Sequence, residues 1–193
     1  MIKAVVFDCF GVVVGTGYWN VYKRLGGDPA KDGKFLDEVL GRADTGKIDT
    51  DELAKIVSER LGITADEYSR AYKEDEVPNL EVFEFIRAEL RPHYKIGLLS
   101  NVGPGVIERK IPQELLQLFD AVVLSGEVGL LKPDPAIFRL TVERLGVAPE
   151  EAVFADDHVE YLVGAEAIGM STILFTDLGD FKYQFAKLIG AKG

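Results

Sequence analysis

The sequence has a single cysteine, no concentration of basic residues and no apolar run long enough to cross a bilayer. One cysteine, Cys9, cannot form an intramolecular disulfide, which is compatible with a reducing cytoplasm. The net charge is −10 and Lys and Arg do not cluster, which argues against a nucleic acid partner. The segment before Asp8 is too short for the apolar part of a signal peptide. We therefore expect a cytoplasmic protein that binds neither nucleic acid nor membranes.

Five short apolar segments have the composition of strands in a parallel sheet. The chain has 193 residues, 47% of them hydrophobic, and none of the five segments alternates between polar and apolar residues. The segments are Ala4–Phe7, Lys95–Leu99, Ala121–Leu124, Ala152–Ala155 and Ser171–Phe175. Helical patterns separate the later ones; the clearest has Asp134 as its cap, Pro135 at its first position and Gly146 after its last turn. This alternation predicts an α/β fold with functional groups in the loops after the strands.

The interval between the first two predicted strands contains only helical patterns. These patterns are Tyr18–Leu25, Lys34–Leu40, Thr50–Leu61 and Ala65–Lys73. Asp49 and the capping-box segment Thr64–Glu67 mark helix starts, and Gly62 marks an end. We therefore predict a core made of residues 1–15 and 79–193, and a small all-helical insertion made of residues 16–78.

The first two predicted strands end in groups that suit chemistry on a phosphoryl group. Asp8 follows Ala4–Phe7 and precedes Gly11, and a carboxylate at a strand end can attack phosphorus to form an acyl phosphate. Ser100 and Asn101 follow the second strand, where a hydroxyl and backbone N–H groups can hold a phosphoryl oxygen. Taken alone, each segment is more typical of a turn or a helix cap.

A lysine and an adjacent pair of aspartates follow later apolar segments. The ammonium of Lys132 can neutralise charge on a nucleophile and a phosphoryl group, although a lone loop lysine is usually solvated. Asp156 and Asp157 repel each other, and Mg²⁺ relieves such repulsion because it binds carboxylate, phosphate and water oxygens. The alternative is a cap for the helix that starts near Val159, and one aspartate can cap while its neighbour binds metal.

These four segments, in this order, resemble the motifs of the haloacid dehalogenase-like (HAD) hydrolase superfamily over essentially the whole chain. Response-regulator receiver domains use similar residue types, but there the acidic pair comes first and the lysine last. The helical insertion after the first motif resembles the type 1 cap of the superfamily. The resemblance implies a Rossmann-like parallel sheet with helices on both faces, and a Mg²⁺-dependent phosphatase that acts on a small phosphorylated metabolite through an aspartyl-phosphate intermediate.

The resemblance also implies a role for each motif residue. The implied Mg²⁺ ligands are Asp8, the backbone carbonyl of Phe10, Asp156 and Asp157. Asp157 is the stronger candidate of the acidic pair. Asp8 would also be the nucleophile, and Lys132 would stabilise both Asp8 and the transferring group. Ser100 and Asn101 would bind the phosphoryl group.

Phe10 departs from the pattern of the superfamily's phosphatases. Those enzymes usually carry an Asp two positions after the nucleophile, which protonates the leaving oxygen and later activates water. General acid–base assistance of this kind contributes about 10²–10⁴-fold in rate, and a phenyl ring supplies none of it.

Three functions are compatible with this departure. The first is a phosphatase for good leaving groups, or one whose acid comes from the substrate, water or a cap residue. The second is a metal-independent 2-haloacid dehalogenase, in which an aromatic residue is usual at this position. The third is a protein that binds a phosphorylated ligand or a protein partner with little turnover. Dehalogenases have Ser-Ser-Asn in place of the acidic pair, and here no Arg closely follows the first motif to bind a haloacid carboxylate. Asp156 and Asp157 therefore favour the phosphatase.

Overall fold

Five parallel strands form one sheet in the order β3-β2-β1-β4-β5. They are β1 (Ala4–Phe7), β2 (Lys95–Ser100), β3 (Ala121–Leu124), β4 (Ala152–Asp156) and β5 (Ser171–Leu174). The computed structural model describes residues 1–15 and 18–191. The α/β fold predicted from the apolar segments is confirmed, and the predicted strands differ from the observed ones by at most one residue at an end. The predicted boundary between residues 15 and 16 adjoins Thr16 and Gly17, which lie outside the described residues.

Four helices lie between β1 and the next helix of the core. They are α1 (Tyr18–Arg24), α2 (Pro29–Asp44), α3 (Thr50–Leu61) and α4 (Ala65–Asp75), called here the insertion helices. They pack around an apolar cluster of their own that includes Tyr22, Leu36, Val57 and Tyr68. Thr64 begins α4 with the predicted capping box, in which its hydroxyl accepts from a backbone N–H one turn later. A separate apolar cluster allows these helices to form a unit beside the sheet.

The helix α2 is longer at both ends than its sequence pattern predicted. Its N-cap is Asp28, whose side chain accepts a hydrogen bond from the N–H of Ala30 at 3.1 Å, and the helix continues to Asp44. The pattern predicted only Lys34–Leu40 because Gly33 and Gly41 are poor helix formers near each end. The extension places Asp44 in the last turn of α2.

The remaining helices cover both faces of the sheet. They are α5 (Leu80–Phe85), which continues as a π-helical turn (Ile86–Leu90), α6 (Ile107–Lys110), α7 (Gln113–Leu116), α8 (Ser125–Val128), α9 (Pro135–Leu145), α10 (Val159–Glu166) and α11 (Leu178–Ala191). Val5 and Phe7 of β1 pack into one apolar cluster, with α5 and α11, whereas Ala4 and Val6 pack into another, with α9 and α10. Because both faces of β1 are buried, its sequence shows no polar alternation. Within the described ranges, no helix combines the length and the apolar character needed to cross a membrane.

The register of the sheet places Asp8 at the centre of one sheet edge. Phe7 is paired with Leu98 of β2 and with Ala155 of β4. The N–H of Asp8 donates to the carbonyl of Ala155 at 2.9 Å, which continues the ladder one residue past β1. The carboxyl ends of β2 and β4 therefore lie on either side of Asp8, and they carry Ser100 and Asp156.

The insertion helices contact the core at the end of α2 and along α1. The Oγ atom of Ser125, a buried residue at the start of α8, donates to the backbone carbonyl of Asp44 at 2.9 Å. The rings of Trp19 in α1 and His158 before α10 lie 6.4 Å apart. The insertion helices thus cover the edge of the sheet where Asp8 lies.

Candidate active site

The ammonium of Lys132 is shared by two buried carboxylates. Its Nζ atom lies 2.6 Å from Oδ1 of Asp8 and 2.6 Å from Oδ2 of Asp156. Lys132 is 3% exposed, Asp8 6% and Asp156 0%, so little water reaches either ion pair. Hydrogen bonds between charged groups in such an environment are shorter and stronger than those between neutral groups. Lys132, in the loop between α8 and α9, therefore links the end of β1 to the end of β4.

The backbone of Lys132 is held by the side-chain amide of Asn101. The Oδ1 atom of Asn101 accepts from the N–H of Lys132 at 2.8 Å, and its Nδ2 donates to the carbonyl of Lys132 at 3.0 Å. The side-chain amide of Asn101 is thus engaged with Lys132, and the predicted role of Asn101 in binding the phosphoryl group stays a prediction. The Lys132 ammonium also lies 4.6 Å from the centre of the Tyr161 ring and 5.4 Å from that of Phe154, within the range of cation–π attraction.

The two aspartates after β4 have different surroundings. Oδ2 of Asp156 accepts from Lys132, and its Oδ1 accepts from the N–H of His158 at 2.8 Å. Oδ1 of Asp157 is buried and has no hydrogen-bond partner among the residues that the structure describes. Gly11, with φ of +85°, allows this carboxylate to approach closely, because a Cβ atom at that position would collide with it. Asp157 therefore has a buried oxygen available for a ligand.

Asp8, Asp156 and Asp157 form a cluster that fits a hard divalent cation. Each offers a carboxylate oxygen, and the three oxygens lie within 4.8 Å of one another. Mg²⁺ takes oxygen ligands and is commonly held by one or two carboxylates together with phosphate and water oxygens. The unpartnered oxygen of Asp157 is consistent with this donor set.

The ionisation of the site reflects burial and the density of negative charge. Burial raises the pKa of Asp8 to about 7; Lys132 lowers it in part, and Asp156 and Asp157 raise it. Burial, followed by the neighbouring Asp156 charge, likewise raises the pKa of Asp157 to about 7. Burial opposes the positive charge of Lys132, but Asp156 and Asp8 outweigh it and hold the pKa of the ammonium above its ordinary range. One lysine therefore does not compensate the three carboxylates, and a bound cation would.

A cavity of about 1240 Å³ separates this cluster from the insertion helices. Asp8, Asn101, Lys132 and Asp157 line it, as do Ser100 and Phe10. Asp156 lies beneath Lys132, fully buried. Phe10 is partly buried against the apolar core and brings no proton donor or acceptor in its side chain. The structure thus brings all seven predicted residues to one place, and their roles stay predictions.

A family profile described as "haloacid dehalogenase-like hydrolase" matches residues 2–169. The chain belongs to this family. It is 26% identical over 208 aligned residues to a D-ribitol-5-phosphate phosphatase from Bacteroides thetaiotaomicron, a match that covers 99% of this chain and 100% of that protein. It superposes with a TM-score of 0.66 on a HAD family enzyme of the same organism in complex with magnesium and inorganic phosphate, at 25% identity, covering 92% of this chain and 98% of the other.

Some relatives of this HAD-like hydrolase are much longer proteins. The chain is 34% identical over 74 residues to the drimenol cyclase drtB of Aspergillus calidoustus. That match covers 38% of this chain but only 14% of the cyclase. The chain therefore spans a small part of that relative, whereas it spans the full length of the ribitol phosphate phosphatase.

Two residues of the HAD-like site lie outside the seven predicted ones. Tyr161 lies in the first turn of α10, lines the cavity and places its ring 4.6 Å from the Lys132 ammonium. Asp44 lines the cavity from α2. The sequence offered no local signal for it, because the helical pattern stopped at Leu40.

Proposed function

We propose that this HAD-like hydrolase is a Mg²⁺-dependent phosphatase that acts on a small phosphorylated metabolite through an aspartyl-phosphate formed on Asp8. The observation that carries the proposal is the buried arrangement of Asp8, the lysine bound to it, and the carboxylate cluster beside them, with one unpartnered oxygen. The ribitol phosphate phosphatase and the magnesium and phosphate complex of a related enzyme support it. Dehalogenation without metal would leave the acidic cluster without a function.

The residues proposed to hold Mg²⁺ are Asp8, the backbone carbonyl of Phe10, and Asp157. Asp156 was expected to join them, but both its oxygens already accept hydrogen bonds from the protein. We therefore assign Asp157 as the direct ligand of the acidic pair, and Asp156 as the residue that orients Lys132. The ion would supply positive charge that neutralises the phosphoryl oxygens and the carboxylates around them.

The chain's own residues then perform a displacement in two steps. A carboxylate oxygen of Asp8 bonds to phosphorus while the bond to the ester oxygen breaks. Lys132 and the hydroxyl of Ser100 stabilise the charge on the phosphoryl oxygens. A water then bonds to phosphorus, and the Asp8 carboxylate leaves. We propose that the insertion helices act as a cap, which excludes bulk water and selects the substrate.

Phosphate release is the test of this proposal. The protein is expected to release phosphate from an aryl phosphate, and from one or more members of a panel of phosphorylated metabolites, with Mg²⁺ but not with excess EDTA. Chloride release from 2-chloropropionate with EDTA present, and no phosphate release with Mg²⁺, would establish the dehalogenase instead. Release of neither product, with Mg²⁺ and a phosphate analogue still bound, would establish the binding protein.

Mg²⁺ is expected to stabilise the protein more at about pH 8 than at about pH 5. In the folded protein the pKa of Asp8 and of Asp157 is raised from 3.8 to about 7, so the folded state binds protons that the unfolded state releases. The metal-free protein therefore loses stability as pH rises from 3.8 to about 7. Above that range the carboxylates are deprotonated, so Mg²⁺ binds them without displacing protons and restores the lost stability. At roughly 100 times its dissociation constant, Mg²⁺ should raise the melting temperature by about 5–10 °C at the higher pH.

Differential scanning fluorimetry with and without Mg²⁺ across this pH range measures the effect. The variant Asp157→Asn should lose most of the Mg²⁺-dependent shift. Asp66→Asn, which removes an exposed carboxylate of α4, should keep it. A shift of equal size at both ends of the pH range would contradict the assignment of Mg²⁺ to these carboxylates.

A further inference from the structure

We propose that Asp44, in the last turn of α2, is the general acid and base that position 10 does not supply. The inference rests on the proposed phosphatase function, since it assigns the proton transfers of that reaction. It extends the candidate site to a residue of the insertion helices, where no motif of the family pointed.

Asp44 differs from the other carboxylates that line the cavity outside the proposed metal cluster. Those others are Asp37, Asp49, Asp75, Glu76 and Glu160. Asp75 pairs with Arg24 and Glu76 pairs with Lys110, whereas Asp37, Asp49 and Glu160 are exposed to solvent. Asp44 is partly buried, and among the described residues no hydrogen bond or ion pair to its carboxylate is found. It therefore combines burial, access to the cavity and a free carboxylate.

The position of Asp44 is set by the core. Besides donating to the carbonyl of Asp44, Oγ of Ser125 accepts from the N–H of Val102 at 2.8 Å, in the loop that follows β2 and Ser100. The end of α2 and the loop after β2 approach each other closely at Gly103, where a Cβ atom would lie 3.1 Å from the carbonyl oxygen of Ala43. The end of α2 is thus docked on the loop that directly follows Ser100, the residue proposed to bind the phosphoryl group.

The charges around Asp44 suit a group that exchanges protons near neutral pH. Burial raises the pKa of Asp44 to about 7; Lys132 lowers it in part, and Asp8 raises it. Tyr18 of α1 and Tyr161 of α10 are the other titratable groups that interact with it. A carboxyl with such a pKa is present in both forms at the operating pH, which is the condition for serving first as an acid and then as a base.

The direction of the reaction places the leaving oxygen on the side of Asp44. In an in-line displacement the ester oxygen departs opposite the attacking oxygen of Asp8, and we place that oxygen on the side of the cavity that α2 and Asp44 line. The Asp44 carboxylic acid gives its proton to that oxygen as the phosphorus–oxygen bond breaks, and the alcohol leaves. A water in the same place then gives a proton to the Asp44 carboxylate as its oxygen bonds to phosphorus and Asp8 is released. Asp44 ends protonated, ready for the next substrate.

The variant Asp44→Asn separates this role from a structural one. We compare two substrates, an alkyl phosphate, whose alkoxide leaves poorly, and 2,4-dinitrophenyl phosphate, whose phenolate needs no proton. The value of kcat/KM should fall about 10²–10⁴-fold for the alkyl phosphate and far less for the aryl phosphate. Because the second step lacks its base, a burst of dinitrophenolate should precede slow turnover. The ratio of the two kcat/KM values does not depend on the fraction of folded protein. It therefore reports the proton transfer even if the variant is less stable.

Glu38→Gln is the matched control, since it removes an exposed carboxylate from the same helix away from the cavity. It should leave both rates and their ratio unchanged. An Asp44→Asn variant that hydrolyses both substrates as the wild type does, or loses the same factor on both without a burst, would overturn the role of Asp44. A wild type that releases phosphate from neither substrate would overturn the proposed function, and the role of Asp44 with it.

Discussion

Asp8→Asn is expected to lower phosphate release by roughly 10⁴–10⁶-fold, the range seen when a catalytic residue that acts as part of a unit is removed. An amide oxygen does not form the acyl phosphate, so both steps are lost together. The fold should persist because Lys132 keeps its ion pair with Asp156. Phosphate release measures the loss, and intact-protein mass after acid quenching should show a phosphoryl adduct on the wild type alone.

The control for this variant is Asp66→Asn, which changes the net charge equally at an exposed position. It should release phosphate at the wild-type rate. Substantial turnover by Asp8→Asn, or an adduct that forms on that variant, would mean that phosphorus is attacked by water directly or by another residue.

Lys132→Met is expected to impair both stability and activity. The substitution leaves Asp8 and Asp156 buried without their shared cation, and breaking a buried pair in this way costs about 3–5 kcal/mol. Loss of the ammonium should also lower kcat by at least about 10²-fold, because a positioned charge no longer stabilises the transferring group. The stability deficit should be larger at about pH 8 than at about pH 5, since protonation of the carboxyls relieves their repulsion. Denaturant unfolding at both pH values measures it.

The matched control is Lys3→Met. Nζ of Lys3 lies 2.6 Å from Oε1 of Glu151, but the Lys3 side chain is 59% exposed. Exposed ion pairs contribute about 0–1 kcal/mol to the free energy of unfolding. Loss of the same free energy of unfolding in both variants at about pH 8 would contradict the assignment of Lys132 as the counter-ion of the buried carboxylates. Partial recovery of the Lys132→Met protein by Mg²⁺ would agree with it.

The sequence predicted the functional groups at the strand ends because, in a parallel sheet, the end of each buried strand is also where the functional loop begins. A strand that is buried on both faces is a nearly continuous apolar run, so its end is visible as the next polar residue, as at Asp8 and Asp156. The strand ends meet at one edge, which brings Asp8 and Asp156, more than a hundred positions apart, close together without any pairwise signal in the sequence. The type of fold and the composition of the site follow from that rule.

Apolar runs do not predict the contacts of residues whose partners depend on how separate helices and loops pack together. The side-chain amide of Asn101 can both donate and accept hydrogen bonds. It binds the backbone of Lys132 because of where the loop before α9 lies. Asp44 depends on how far α2 extends past Gly41 and where its end docks on Ser125. Neither contact is encoded in a local pattern, so the sequence did not reveal the contact of Asn101 with Lys132 and did not identify Asp44.

The hydrogen bond between Lys132 and Oδ1 of Asp8 distinguishes the two oxygens of the nucleophile. In the proposed mechanism Oδ2 would attack phosphorus, and Oδ1 would become the carbonyl oxygen of the acyl phosphate. A donor on that oxygen withdraws electrons from the carboxylate, which makes Asp8 a weaker nucleophile in the first step and a better leaving group in the second. In the proposed mechanism the lysine would therefore favour the second half-reaction, in which the covalent intermediate is hydrolysed, over the first.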